Sequence, residues 1–496
     1  MMTSQPLQPI QPLLPKAVEH LQLNHCKTVG CCNYGSKNID DYVIQRTNPE
    51  RPTLVCRECG AFPPVLSNQD VVDELTRVKV TQSSGLPACS NPKCENLGLA
   101  VLTHRHLYHA FGYSGDRQRY RCKCCQGTFV DRWSGFNNKH LVQQKLLAML
   151  FTGYAIRDIC RRLSMNPKTF YDQLSHIASR CRRQLAMFDA RLFKHAQNLS
   201  LASNLTTLQP KSSNGVLWIS TCEATSGYVV GQHLNYQASD HDEKHLEHDP
   251  FQVGTRFMAP PSALLETNTT PPSQGILARV DNKYREVLSR PQLEDPLSNQ
   301  ARINYPTKGC LIRPQYTVYA HYLQLASQLE YNQQLAIFMP QEPLMRSAVV
   351  SIFLDRIKAK TIHPIYVEQD EQWHSDMEAD RIDIVLLGWW RDRWAFTRNK
   401  DISKGICHLA GEKENERYWL NTATDRAVLQ YQQRFHDQFA QLVNEPRRKL
   451  RPAGLLPLLD IYRAWHNLCR QDRTGQTPAQ QMGLTSAPLT LEQLLN

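Results

Sequence analysis

The chain has 496 residues, 41% of them hydrophobic and 21% charged, with a formal net charge of +11 and 16 cysteines. That length accommodates three or four domains with a large core, and the lack of any apolar run as long as a bilayer is thick excludes a helical membrane span. The charge is unevenly placed: residues 1–200 hold 26 Lys+Arg against 14 Asp+Glu and the remainder 31 against 32, so the excess cations head the chain and point to a phosphate-bearing partner.

Residues 1–21 are rich in Pro and Gln, with neither the charged nor the apolar stretch of a secretory signal. They read as a disordered tail on a cytoplasmic, nucleoid-associated protein. In a reducing compartment cysteines serve as metal ligands rather than disulfides. Cys26, Cys31, Cys56 and Cys59 are followed by Cys89, Cys94, Cys122 and Cys125 with the same local spacing, and the alignment also superposes Asn33 on Asn96 and Gly35 on Gly98. A C-x4-C knuckle facing a C-x2-C knuckle supplies four thiolates to one tetrahedral ion, so the duplication predicts two structural Zn2+ ions in two zinc ribbons, over 22–80 and 81–134. Cys32, Cys124 and His25 read as bystanders, and His104, His106 and His109 as surface or phosphate-contacting residues.

Residues 135–194 change to helical periodicity. Leu141, Leu146, Leu147 and Leu150 form one apolar stripe ending at Gly153, and Ile156, Ile159 and Leu163 form a second. Beyond the break at Ser164 to Pro167, Phe170, Leu174 and Ile177 form a third. Asn166 reads as a cap and Pro167 as the first helical residue. Two short helices joined this way suit a helix-turn-helix, whose second helix enters the major groove. Lys168, Thr169, Tyr171 and Asp172 would then face double-stranded DNA, and Arg161, Arg162, Arg180, Arg182 and Arg183 would hold phosphates. An ordinary helical hairpin has the same pattern.

Residues 195–214, rich in Ser, Thr and Asn, read as a linker. The remainder, 215–496, opens on the strand VLWISTCE and a hairpin, and is interrupted at about 239–308 by a long polar, proline-rich insertion or mobile loop. Helix, strand, helix and strand follow, an order compatible with an RNase H-like α/β domain. The fold class expected is thus multidomain α+β: two zinc ribbons, a helix-turn-helix domain and a divergent RNase H-like domain. In LLGWWRDRWAFTR, Trp389, Trp390 and Trp394 beside Arg391, Arg393 and Arg398 read as a core strand with an amphipathic edge, the alternative being a base-stacking or partner surface. RRKLRP at 447–452 reads as a phosphate-contacting patch or a solvated basic loop.

Tandem ribbons ending YRCKCCQGTFVDR, a helix-turn-helix, the hairpin WISTCEATSGYVVG and the closing segment YRAWHNLCRQDRTGQTPAQQMGL together resemble bacterial insertion-sequence transposases of the DDE class. The resemblance covers about 22–190 well and 215–490 loosely. It implies two Mg2+ ions gathered by three carboxylates, one on the first strand, one after the fourth and one on a later helix. The matching stations carry Glu223, preceded by Cys222 where an Asp is expected, then Glu342 beside Gln341, and Glu378, with Glu371, Asp376 and Asp380 competing. The function expected is a zinc-containing DNA-binding protein of transposase descent, assembled as a homo-oligomer such as a dimer. The alternatives are an active metal-dependent transposase or nuclease and a dimeric transcriptional regulator.

Overall fold

Eight strands, in the order β13-β14-β15-β12-β11-β6-β7-β8, form the sheet around which the chain is organised. The computed structural model describes residues 15–45, 53–63, 65–132, 140–209, 215–238, 275–290, 309–330, 332–374, 377–379, 381–388, 391–411, 414–443 and 450–496. One end of the sheet is β6 (Asn198–Leu208), β7 (Val216–Glu223) and the edge strand β8 (Val229–Leu234), an antiparallel meander. Beyond two short strands, β9 (Tyr236–Gln237) and β10 (Cys310–Leu311), β11 (Gln334–Met339) joins parallel to β6, and β12 (Ile362–Gln369) joins parallel to β11. Strands β13 (Ile382–Leu387), β14 (Asp392–Asn399) and β15 (Ile402–His408) extend the far side as an antiparallel meander. Every residue of β7 is buried, the signature of a strand covered on both faces.

Three sequence expectations change here. The segment 195–214 is not a linker: its residues 198–208 are β6, an eleven-residue strand paired to both β7 and β11. Ser203 is buried there, its Oγ bonding Thr221 Oγ1 at 2.7 Å, while Ser200, Thr206 and Thr207 are half-buried. The expected insertion contains the helix Gly275–Ser289, which buries Ile276, Val280, Tyr284 and Val287 and anchors Tyr284 Oη to Asp392 at 2.7 Å; residues 239–274 and 291–308 lie outside the described residues. One hydrophobic cluster is continuous across 194. α4 (Pro167–His195) runs 29 residues and buries Asp189, whose carboxylate accepts from Arg463 and from Tyr228.

The helices that precede α4 share its core. α1 (Asn68–Gln82), α2 (His140–Phe151) and α3 (Ile156–Arg162) contribute Val71, Leu146, Leu147, Leu150 and Ile159 to one hydrophobic cluster that continues through the sheet to Leu495. Two small separate clusters surround the cysteine groups. The stretch LLGWWRDRWAFTR spans the end of β13, with Leu386 exposed, and most of β14, where Trp394 is fully buried, so only its second half is a core strand; Trp389 and Trp390 are outside the described residues. Among the described residues no helix is long and apolar enough to cross a membrane.

Candidate metal centres and nucleic-acid surface

The two cysteine quartets close as expected from their spacing. Cys26, Cys31, Cys56 and Cys59 bring one sulfur each to within 4.8 Å of the others, and Cys89, Cys94, Cys122 and Cys125 do the same. A tetrahedral ion with bonds of about 2.3 Å holds sulfurs about 3.8 Å apart. The observed pairs are 3.5 Å (Cys26–Cys59), 3.9 Å (Cys31–Cys56), 3.6 Å (Cys89–Cys125) and 3.7 Å (Cys94–Cys122), so both sites could hold a metal ion such as zinc.

The duplication is deeper than the cysteines. Gly35 and Gly98 both take positive φ (74° and 71°) and return their N–H groups to the carbonyls of Cys26 and Cys89. Asn33 Nδ2 donates to Cys56 Sγ at 3.5 Å and Asn96 Nδ2 to Cys122 Sγ at 3.3 Å. Two tyrosines also correspond. In the hairpin β1 (Tyr42–Gln45) with β2 (Thr53–Cys56), Tyr42 faces Cys56; in the sheet of β3 (Tyr108–Ser114), β4 (Arg117–Cys122) and β5 (Thr128–Val130), Tyr108 faces Cys122. Each hydroxyl accepts from the N–H of the first cysteine, Cys26 at 3.0 Å and Cys89 at 3.4 Å. Sequence reasoning missed this pair because Tyr42 lies 16 positions after its cysteine and Tyr108 lies 19.

The electrostatics divide the thiols: Cys56, Cys122 and Cys125 are lowered, and Cys26, Cys31, Cys89 and Cys94 are raised by burial. The Gly127 N–H, aimed at the sulfur, brings the Cys125 thiol down to about 6. For Cys56 burial works the other way, but the N–H groups of Cys59 and Glu58 prevail and bring it to about 7. Burial pushes the Cys26 and Cys94 thiols up, a penalty that a bound cation offsets. Cys32 and Cys124 are exposed and outside both quartets, His25 bonds the Cys26 carbonyl, and His104, His106 and His109 join no metal-binding group among the described residues.

The residues expected at DNA separate into two sets. Asn166 caps α4 by accepting from the Thr169 N–H at 2.8 Å, with Pro167 in the first turn. Lys168, Asp172, Arg161 and Arg162 are exposed and Thr169 is half-buried. Arg161 pairs with Asp158 at 2.7 Å, and Arg162 lies over the Tyr154 ring at 4.7 Å. Tyr171 is half-buried where the chain passes close to Gly454. The phosphate-holding roles of the other three arginines are corrected. Arg180 is buried and donates to the Leu495 carbonyl at 2.7 Å, Arg182 pairs with Asp460 at 2.8 Å, and Arg183 grips Asp131 at 2.9 and 3.1 Å. They fasten α4 to its neighbours.

The three glutamates expected to gather Mg2+ are not brought together; among the described residues only the cysteine quartets form metal-sized groups. Glu223 lies on β7, the second strand of the meander, and its Oε2 accepts from the N–H groups of Thr225 and Ser226 and from the Ser226 hydroxyl. Glu342, past the end of β11, is held by both guanidinium nitrogens of buried Arg290 at 2.8 and 3.0 Å. Glu378 and Glu371 are exposed in the segment after β12, and Asp376 and Asp380 lie outside the described residues. The closing segment is structural: Asn467 clamps β8 by accepting from the Val229 N–H and donating to its carbonyl, and Thr477 forms a capping box with Gln480.

Comparison of the chain with protein-family models, with curated proteins and with solved structures found no match.

Proposed function

We propose that this chain is a double-stranded-DNA-binding protein of transposase descent, built on two zinc ribbons and a helix-turn-helix, that does not use its glutamates for metal-dependent cleavage. The observation that carries the reading is the first turn of α4, where Lys168 is exposed and Thr169 half-buried. There Lys168 and Thr169 follow a capped break behind α3, and Arg161 and Arg162 flank them in the cation-rich part of the chain. Exposed helix N-termini with flanking arginines suit base-edge and phosphate contacts respectively.

Descent is supported by strand order. Three antiparallel strands followed by two that join parallel to the first give β12-β11-β6-β7-β8, the order of an RNase H-like sheet, with β13–β15 as an addition. On that order the first acid belongs on β6, whose residues 198–208 contain neither Asp nor Glu. The later helix is Arg426–Gln438, and where it meets β6 the contact is amide to amide, Asn204 Nδ2 donating to Gln432 Oε1 at 2.6 Å. Carboxylates that would hold two ions are thus missing from one station and tied to Arg290 at another. A homodimer of this protein would present two such helices to half-sites one helical turn apart.

Fluorescence anisotropy on duplex DNA tests the reading. Lys168→Ala combined with Arg162→Ala should weaken binding about tenfold or more at moderate salt and reduce the salt dependence. Unchanged duplex affinity in that variant would refute it.

A further inference from the structure

Ribbon 2 turns one face of its sheet outward. Tyr108, Tyr120, Cys122 and Phe129 lie on the face toward the cysteines. Side chains two apart on a strand share a face, so Arg117, Arg119 and Arg121 form a row on the opposite one. His109 faces Arg121 in register. The Arg121 guanidinium sits over the Phe111 ring at 5.3 Å, which puts that ring on the same side.

The local backbone explains the placement. The pairing slips between Ala110 and Tyr113, and Gly112 within the slip has φ +71°. A bulge of this kind bends a strand and re-aims its side chains. Beyond Tyr108 all of β3 is exposed, and Phe111 retains 46% of its surface. Between Arg105 and Gly127 the only carboxylate is Asp116. Among the described residues Arg117, Arg119 and Arg121 have no ion-pair partner.

Beyond the Arg121–Phe111 contact this arrangement does little for the ribbon's own stability, since the three like charges repel and the ring keeps nearly half of its surface exposed. They match a nucleic-acid strand, which offers phosphates in a row and bases with flat faces. Base faces are open to an aromatic ring only where the bases are unpaired. We propose that the outer face of the β3-β4-β5 sheet binds a single DNA strand, with phosphates on Arg117, Arg119 and Arg121 and a base stacked on Phe111. The inference rests on the DNA-binding reading above and adds a second, single-strand contact to it.

Anisotropy of the full-length, metal-loaded protein on a fluorescein-labelled oligothymidylate and on a duplex of equal length tests this. Arg117→Ala with Arg119→Ala should lower single-strand affinity more than tenfold and shrink the slope of log affinity against log salt by about 1.4, each single-strand phosphate contact contributing about 0.7. Phe111→Leu, which keeps apolar bulk but removes the ring, should cost about fivefold or more. Two metal equivalents retained in each variant would show the ribbon intact. Unchanged single-strand affinity in the double variant would overturn the proposal, as would equal losses on single strand and duplex, or wild-type protein that ignores the oligothymidylate. Loss of duplex binding in the Lys168→Ala, Arg162→Ala variant bears on the earlier reading alone, so the two can fail separately.

Discussion

At the scale of single residues the metal centres make the sharpest statements. Each quartet is completed by a C-x2-C knuckle, so Cys59→Ser and Cys125→Ser should each remove one of two zinc equivalents, read by metal analysis of purified protein. Retention of both would refute the ligand sets. Asn33 and Asn96 donate to a quartet sulfur and are not themselves among the candidate ligands, and loss of such outer partners costs about 10–100-fold in metal affinity; competition with a chromophoric chelator should show this for Asn33→Ala and Asn96→Ala. Asn467 makes a different kind of claim. It is fully buried and pairs with both backbone groups of Val229, so Asn467→Ala strands a donor and an acceptor and should cost about 3 kcal/mol in urea unfolding. A loss below about 1 kcal/mol would show that the clamp is dispensable.

At the scale of elements, α1 is joined to the sheet by a buried relay. Gln82 donates to His233 Nε2 at 2.8 Å, the two histidines meet Nδ1 to Nδ1 at 2.7 Å, His321 Nε2 reaches Thr221 Oγ1 at 2.7 Å, and Thr221 reaches Ser203 at 2.7 Å. With Gln82 donating, His233 carries its proton on Nδ1 and His321 on Nε2, so every group is satisfied only while both rings are neutral. Burial brings His321 down to about 3, and burial with the nearby His321 also holds His233 well below its ordinary value. Between pH 6.5 and about 3 the unfolded chain therefore binds the extra proton at His321. That stabilisation is complete above pH 6.5 and lost as pH falls, at about 1.4 kcal/mol per pH unit. His321→Gln should flatten the slope of unfolding free energy against pH by about one proton between pH 6 and 4; parallel slopes for variant and wild type would reject the relay. Legibility in the sequence differs between elements for the same physical reason that this relay was invisible. Cysteine knuckles are local, since four ligands must come from two tight turns, and the cap at Asn166 is local too. β6 was hidden because Ser203 and Asn204 read as loop residues until partners from β7 and the helix Arg426–Gln438 absorb them. Ile276, Val280, Tyr284 and Val287 were a readable helical stripe, masked by the polar, proline-rich composition around it. Arg180, Arg182 and Arg183 show the limit in reverse: their chemistry suits phosphate, and only packing reveals that they face Leu495, Asp460 and Asp131.

At the scale of the molecule, one core runs from the helices around α4 through the sheet to the C-terminus, while each cysteine quartet sits in a small cluster of its own. Buried Arg463 links the two ends of that continuity, donating to Asp189 of α4 and to the Val229 and Val230 carbonyls of β8. α3 and α4 are therefore packed onto the sheet through a shared core rather than tethered to it. A cluster of half a dozen buried residues cannot by itself offset chain entropy, so the hairpins around the quartets should need a bound metal ion, the first less so because Leu23 and Tyr34 also pack into the main core. Calorimetry should show a main transition that survives complete chelation and a smaller one that disappears with the metal. Removing Arg463's charge by Arg463→Met leaves buried Asp189 unpaired, a defect that costs about 3–5 kcal/mol, and should lower the main transition while sparing the metal-dependent one. A single transition that moves as a whole under both treatments would mean that ribbons and body fold as one cooperative unit.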